Sequence, residues 1–297
     1  MLGSNIKVHF AGSDANVPEA VARDMVGVKY DLFSCYPFIK SKKLSDDFKF
    51  LDDQVFVQRD IQPKRNHIIM DSGLFTLMFG AGKGQKQTKE SLEIWQDKTA
   101  KFVSQNNIHA TCVEIDCQKV LGVEEAWYFR ERMRKVMPNN RHINVFHLED
   151  GQKGLDRLIE FSDYIAISVP ELRIHKKGTF RKDTIFLANY IKNKKPNIDI
   201  HLLGCTDRVL LKECNFCTSA DSTSWITCVR YGRMPDARYH ERDIKASARE
   251  VLTNEILKRF KEYKKVPTGN DVKRTQTLYY AAKMSKKKYE ELCGPQD

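Results

Sequence analysis

Apolar, strand-like runs recur along this chain, and helix-compatible stretches separate most of them. The runs are KVHFAG (Lys7 to Gly12), YDLFSCY (Tyr30 to Tyr36), HIIM before Asp71, TCVEIDC (Thr111 to Cys117), INVFHLE (Ile143 to Glu149), YIAISVPE (Tyr164 to Glu171), DIHLLGC (Asp199 to Cys205) and FCTSAD (Phe216 to Asp221). Helices are expected near Pro18 to Met25, from Thr88 to Val103, Glu124 to Met137, Leu155 to Phe161 and Thr184 to Lys192. This alternation predicts an α/β fold with a parallel sheet. About eight strands in 297 residues favour a closed (β/α)8 TIM-type barrel over an open doubly wound sheet. The dinucleotide-binding alternative lacks its glycine fingerprint after the first strand. Beyond Trp225 the chain turns helical and basic, with helices expected over Asp243 to Lys265 and Thr277 to Leu292. The expected organisation is a barrel over residues 1–235 and a basic helical C-terminal extension over 236–297, packed on it.

A barrel of parallel strands brings every strand end to one face. Asp71, Asp116, His147, Ser168, Gly204 and Asp221 all fall at or near such ends, so the fold predicts that they line one pocket. Two of them share a form. An apolar run leads into Asp71-Ser72-Gly73, and another into Asp221-Ser222-Thr223-Ser224. The competing reading of each is a helix N-cap, since Asp, Ser and Thr all cap well. Two such carboxylates together invite a nucleophile and acid/base pair, as in retaining displacement at an anomeric carbon. Asp116 suits recognition, because a carboxylate accepts two N–H donors side by side. Guanine offers that pair at N1–H and its 2-amino group, and His147 and Ser168 are placed for the opposite, carbonyl edge. For His147 the alternative is an ordinary satisfied histidine at a strand end.

Charge narrows the partners. The net charge is +11 and the pI about 9.1. Such a surplus points to a polyanion, nucleic acid first, although a merely basic enzyme has the same balance. Arg173, Lys176, Lys177, Arg181 and Lys182 lie in a basic stretch after a strand end (Leu172 to Lys182, read as a loop), where they would rim the pocket and meet phosphates. No run is long and apolar enough for a membrane span, and no signal peptide is expected, so the eight cysteines should be reduced thiols in the cytoplasm. Cys214 and Cys217 form a C-x-x-C without the further ligands that zinc needs. The stretch FGAGKGQKQ (Phe79 to Gln87) reads as a mobile loop near the pocket and does not have Walker spacing.

At these residues the sequence resembles the tRNA-guanine transglycosylase superfamily, most of all the phage and bacterial 7-deazaguanine DNA transglycosylases. DSGLF at Asp71 resembles the family's Asp-Ser-Gly-Gly-Phe motif, whose aspartate is a general acid/base, with Leu74 in place of the second glycine. DSTSW at Asp221 is similar to Asp-Ser-Ala-Ser-Tyr, whose aspartate is the nucleophile. VEIDC at Asp116 resembles a base-binding Phe-Asp-Glu-Cys segment. AISVPE at Ser168 and HLLGC at Gly204 resemble strand ends that wall the base pocket, and His147 stands near the family's glutamine. The likeness runs roughly from Asn66 to Arg233, with the motifs in the family's order. The zinc segment of three close cysteines and a histidine has no counterpart, since only Cys228, His240 and Cys293 remain, widely scattered.

The resemblance implies exchange of guanine for a 7-deazaguanine base such as 7-cyano-7-deazaguanine. Asp221 would be the nucleophile and Asp71 the acid/base, while Ser72, Asp116, His147, Ser168 and Gly204 hold the base. No metal or other cofactor is expected. DNA is the expected partner, with tRNA the alternative and an additional protein partner allowed; the place would be the host cytoplasm if the gene is a phage's. A retaining N-glycoside hydrolase and a non-catalytic nucleic-acid-binding barrel are the rival readings. The basic terminal helices fit phosphates, and Phe180, Tyr279 and Tyr280 could stack on bases or pack in the core.

Overall fold

In the computed structural model, which describes residues 5–12, 16–49, 65–79, 87–231 and 246–297, eight parallel strands close into a barrel in chain order. They are β1 (Lys7–Gly12), β2 (Tyr30–Ser34), β3 (His67–Asp71), β4 (Thr111–Val113), β5 (His142–Phe146), β6 (Tyr164–Ser168), β7 (Asp199–Leu203) and β8 (Ser219–Ser222). Pairing of β8 with β1, His9 opposite Asp221, completes the ring. The strands read as unbroken apolar runs because both faces are buried. In β3, Ile69 points into the lumen with Ala11, Leu32, Val113, Val145 and Ala166, whereas Ile68 and Met70 pack outward with Trp95 and Phe102.

The helices begin where capping chemistry puts them. Asn16 caps Val17–Val26. Thr88 and Ser91 form a reciprocal capping box on Lys89–Gln105, and Thr268 and Asp271 form one on Gly269–Cys293. The other long helices are Val123–Val136, Gly151–Phe161, Phe180–Lys194 and Ala246–Glu262. The C-terminal pair covers the barrel rather than standing apart. Leu278, Ala282, Tyr289 and Cys293 join the main apolar cluster, Arg274 pairs with the buried Glu19 at 3.1 Å, and Arg259 pairs with Asp24 at 3.2 Å. At the strand-start end of the barrel, the side chain of Gln296 accepts from Val8 N–H and donates to the Ile6 carbonyl.

Three expected boundaries shift. The run from Thr111 to Cys117 is regular strand only to Val113; Glu114 N–H still donates to the β5 carbonyl of Ile143, its carboxylate accepts from Arg130 Nε and from Val145 N–H at 3.0 Å, and Asp116 follows in a loop. Pro170 starts a helix, Val169–His175, so the stretch read as a basic loop is the end of that helix, a short turn and the start of Phe180–Lys194. The last strand starts at Ser219 rather than Phe216, because Cys214 to Cys217 turns back on itself, Cys217 N–H donating to the Cys214 carbonyl. The segment 80–86, expected to be a mobile loop, and residues 243–245 lie outside the described residues.

Candidate active site

Asp221 is buried on β8, and its Oδ1 accepts two hydrogen bonds from the end of β7: Gly204 N–H at 2.7 Å and His201 Nε2 at 3.1 Å. It is not a helix cap. The next helix, Ser224–Arg230, starts after Thr223, and Ser222 Oγ takes the Ser224 N–H. The carboxylate is therefore held in place by β7 and the residue that follows it. Gly204 makes this possible. Its φ is +62°, and a Cβ there would meet Pro170 Cγ at 2.7 Å.

Asp71 ends β3, half-buried, and its Oδ1 accepts from Gly73 N–H at 2.7 Å. In part it does shape its own turn, as the capping alternative requires. Its carboxyl is pushed up from 3.8 to about 6. Burial is the main cause, and the negative charges of Asp116 and Asp221 add to it, against hydrogen bonds from Gly73 and Ser34. Asp71 ends β3, Asp116 follows β4 and Asp221 lies near the end of β8, so all three belong to the strand-end side of the barrel. Ser72 is buried beside it, its carbonyl accepting from Trp95 Nε1 at 2.8 Å. Leu74, in place of the second glycine, packs into the core with Tyr36 and Trp95.

Asp116 meets His147 across the pocket. His147 Nε2 lies 3.3 Å from Asp116 Oδ2, and Nδ1 lies 3.0 Å from Glu171 Oε2. Lys119 Nζ sits 2.9 Å from the other Glu171 oxygen. Burial disfavours charge on His147, but the hydrogen bonds and charges of Asp116 and Glu171 overcome it and raise the imidazole to about 10. For Glu171, burial is likewise outweighed by His147 and Lys119, which hold it down at about 2. The result is a fixed row of alternating charge: Asp116, His147, Glu171, Lys119. Both His147 nitrogens are engaged, by Asp116 and Glu171, and Asp116 remains a quarter exposed.

Ser168 closes β6 and is buried, and the helix that follows it supplies Glu171. Arg173, Lys176, Lys177 and Lys182 are exposed on the segment running outward from that point. Arg181 is committed to Asp207, with two nitrogens donating to its carboxylate. Phe180 is partly buried against the core with the Arg173 and Arg181 guanidinium groups over its ring, and Tyr279 also packs against the core.

Two groups of residues escaped the sequence reading. Glu171 sat in what looked like a strand tail. The barrel lumen also carries a polar layer: His9 Nε2 to His67 Nδ1 at 2.8 Å, His67 Nε2 to Thr111 Oγ1 at 2.8 Å, and His201 Nδ1 to Ser219 Oγ at 2.6 Å. The signal was present as histidines at alternate strand positions. Burial lowers His67 to about 4, helped by Arg141 and His201, and lowers His9 as well, so both are neutral at pH 7. Among the described residues, His147, Glu149 and Glu171 stand close enough to share a cation. The protonated state of His147 and the Lys119 contact oppose such use. Cys214 and Cys217 are buried free thiols. The Cys228 side chain and His240 lie outside the described residues. No family model matches the chain, and no curated protein matches it either.

Proposed function

We propose that this protein is a base-exchanging glycosyltransferase that replaces guanine in DNA by a 7-deazaguanine through a glycosyl-aspartate intermediate. One observation carries the reading: three carboxylates at the strand-end face have been given three different environments. Asp221 is held rigidly by two N–H donors, Asp71 is poised near pH 6, and Asp116 is paired with an imidazolium. Environments that push neighbouring carboxyl groups apart are how acid, base and nucleophile roles are divided.

In the first step an Asp221 oxygen forms a bond to C1′ as the C1′–N9 bond breaks, and the electron pair leaves with guanine, which takes a proton from Asp71. In the second step Asp71 recovers a proton from N9–H of the incoming deazaguanine. N9 then attacks C1′, and the C1′–O bond to Asp221 breaks. Two displacements retain configuration, and atoms and charge balance without a redox partner. A group titrating near 6 exchanges protons in both directions close to neutral pH. Asp116 accepts from N1–H and the 2-amino group of either base. Its contact with His147 sets the recognising carboxylate apart from the proton carrier Asp71.

A nucleic acid fits because Arg173, Lys176, Lys177 and Lys182 are exposed on the segment after Ser168 and the chain carries a net +11; DNA rather than tRNA follows from the resemblance and from the missing zinc segment of the tRNA enzymes. A paired guanine must first be flipped out, at a cost of a few kcal/mol. The test offers DNA and tRNA together with labelled 7-cyano-7-deazaguanine. Label entering DNA supports the reading. Label in tRNA only replaces DNA by tRNA, and guanine loss without incorporation makes the protein a hydrolase.

A further inference from the structure

We infer that His201 is a positioning residue for Asp221: its Nε2–H and the Gly204 N–H together fix the carboxylate for attack, and Ser219 and Tyr164 set the imidazole tautomer that makes this possible. His201 has no exposed surface, so it cannot touch a substrate. Among the described residues its anionic hydrogen-bond partner is Asp221, at 3.1 Å. An ionised carboxylate only accepts, so Nε2 must carry the proton that faces it. On the other side of the ring, Nδ1 lies 2.6 Å from Ser219 Oγ, and Ser219 Oγ lies 2.5 Å from the Tyr164 hydroxyl.

One arrangement of protons satisfies every member with a neutral ring: Tyr164 O–H to Ser219, Ser219 O–H to His201 Nδ1, His201 Nε2–H to Asp221. The groups facing His201 from the other strands do not compete. His9 on β1 and His67 on β3 are neutral through burial, and Tyr164 on β6 is held in its phenol form by the same cause. The chain is local in sequence as well. The tetrapeptide HLLG supplies both donors, His201 and Gly204, to one carboxylate oxygen. A donor that fixes a nucleophile's orientation without meeting the substrate acts as the outer partners of metal ligands do.

The catalytic part of this inference rests on the base-exchange reading, and the structural part does not, so two measurements separate them. The first needs no substrate. Nitrogen-resolved NMR of the wild-type protein should show His201 protonated at Nε2 and bare at Nδ1, and the opposite tautomer overturns the proposal. The carbon-13 carboxyl resonance of Asp221 should then be displaced in His201→Asn, whose amide replaces Nδ1 but does not reach the carboxylate. In His201→Gln, whose amide N–H reaches the Nε2 position, the resonance should stay near that of the wild type. The second measurement is covalent-adduct formation. His201→Asn should slow it roughly 10- to 100-fold with base affinity unchanged, and His201→Gln should recover most of the rate. An Asp221 resonance that is the same in the two variants overturns the inference. So does His201→Asn forming adduct at the wild-type rate. If the wild type forms no adduct, the base-exchange reading fails and the NMR measurements alone decide the role of His201.

Discussion

Replacing His147 by glutamine tests the charge row that organises the recognition side of the pocket. In the folded protein this imidazole lies between Asp116 at 3.3 Å and Glu171 at 3.0 Å, almost wholly buried. Its rise from 6.5 to about 10 is a statement about stability. Because the folded value is above the unfolded one, the contribution is complete below pH 6.5 and disappears as pH rises through 10. At about 1.4 kcal/mol per unit the rise corresponds to about 5 kcal/mol at its fullest. Glutamine keeps one donor and no charge, so the expected loss is smaller, about 2–4 kcal/mol, in line with breaking one partner of a buried pair. Urea unfolding of both proteins from pH 6 to 10 measures it. The difference between wild type and His147→Gln should be greatest near pH 6 and shrink steadily toward pH 10. A difference that stays constant across that window would refute the charged row, because it would show His147 contributing as a neutral hydrogen-bonding group.

Asp71→Asn should abolish turnover and yet stabilise the fold. With a folded value near 6 against 3.8, wild-type stability falls as pH rises across that interval, and the variant should gain about 1–3 kcal/mol at pH 7 by chemical unfolding. The wild-type rate should itself show an inflection near pH 6. Gly204→Ala combines a positive φ with a Cβ 2.7 Å from Pro170, so it should cost about 1–3 kcal/mol and slow adduct formation by shifting the N–H that holds Asp221. Arg130→Met strands the buried Glu114 carboxylate and should lower stability by about 3–5 kcal/mol, the largest loss expected of a residue outside the pocket.

The barrel was legible because a parallel strand buried on both faces writes itself as an unbroken apolar run, as HIIM and DIHLL do. Asp71, Asp116 and Asp221 were legible for a related reason: a charge at the end of such a run has only the strand-end face to occupy. Two of the features that escaped depended on partners distant along the chain. Glu114 reads as one more strand residue, and only the fold brings its carboxylate onto Arg130 of the helix Val123–Val136. His201 reads as one polar position among apolar neighbours, and only closure of β7 against β8 places it beside Asp221. Glu171 was hidden for a local reason, because Pro170 converts an apparent strand tail into a helix.

The most direct test of the central claim is the mass of the intact protein after incubation with guanine-containing DNA oligonucleotide and no incoming base, quenched in acid. The wild type should gain the mass of the oligonucleotide less one guanine, peptide mapping should place it on Asp221, and Asp221→Asn should show no gain. Exchange proceeding at the wild-type rate in Asp221→Asn, or an adduct mapped to another residue, would contradict the account.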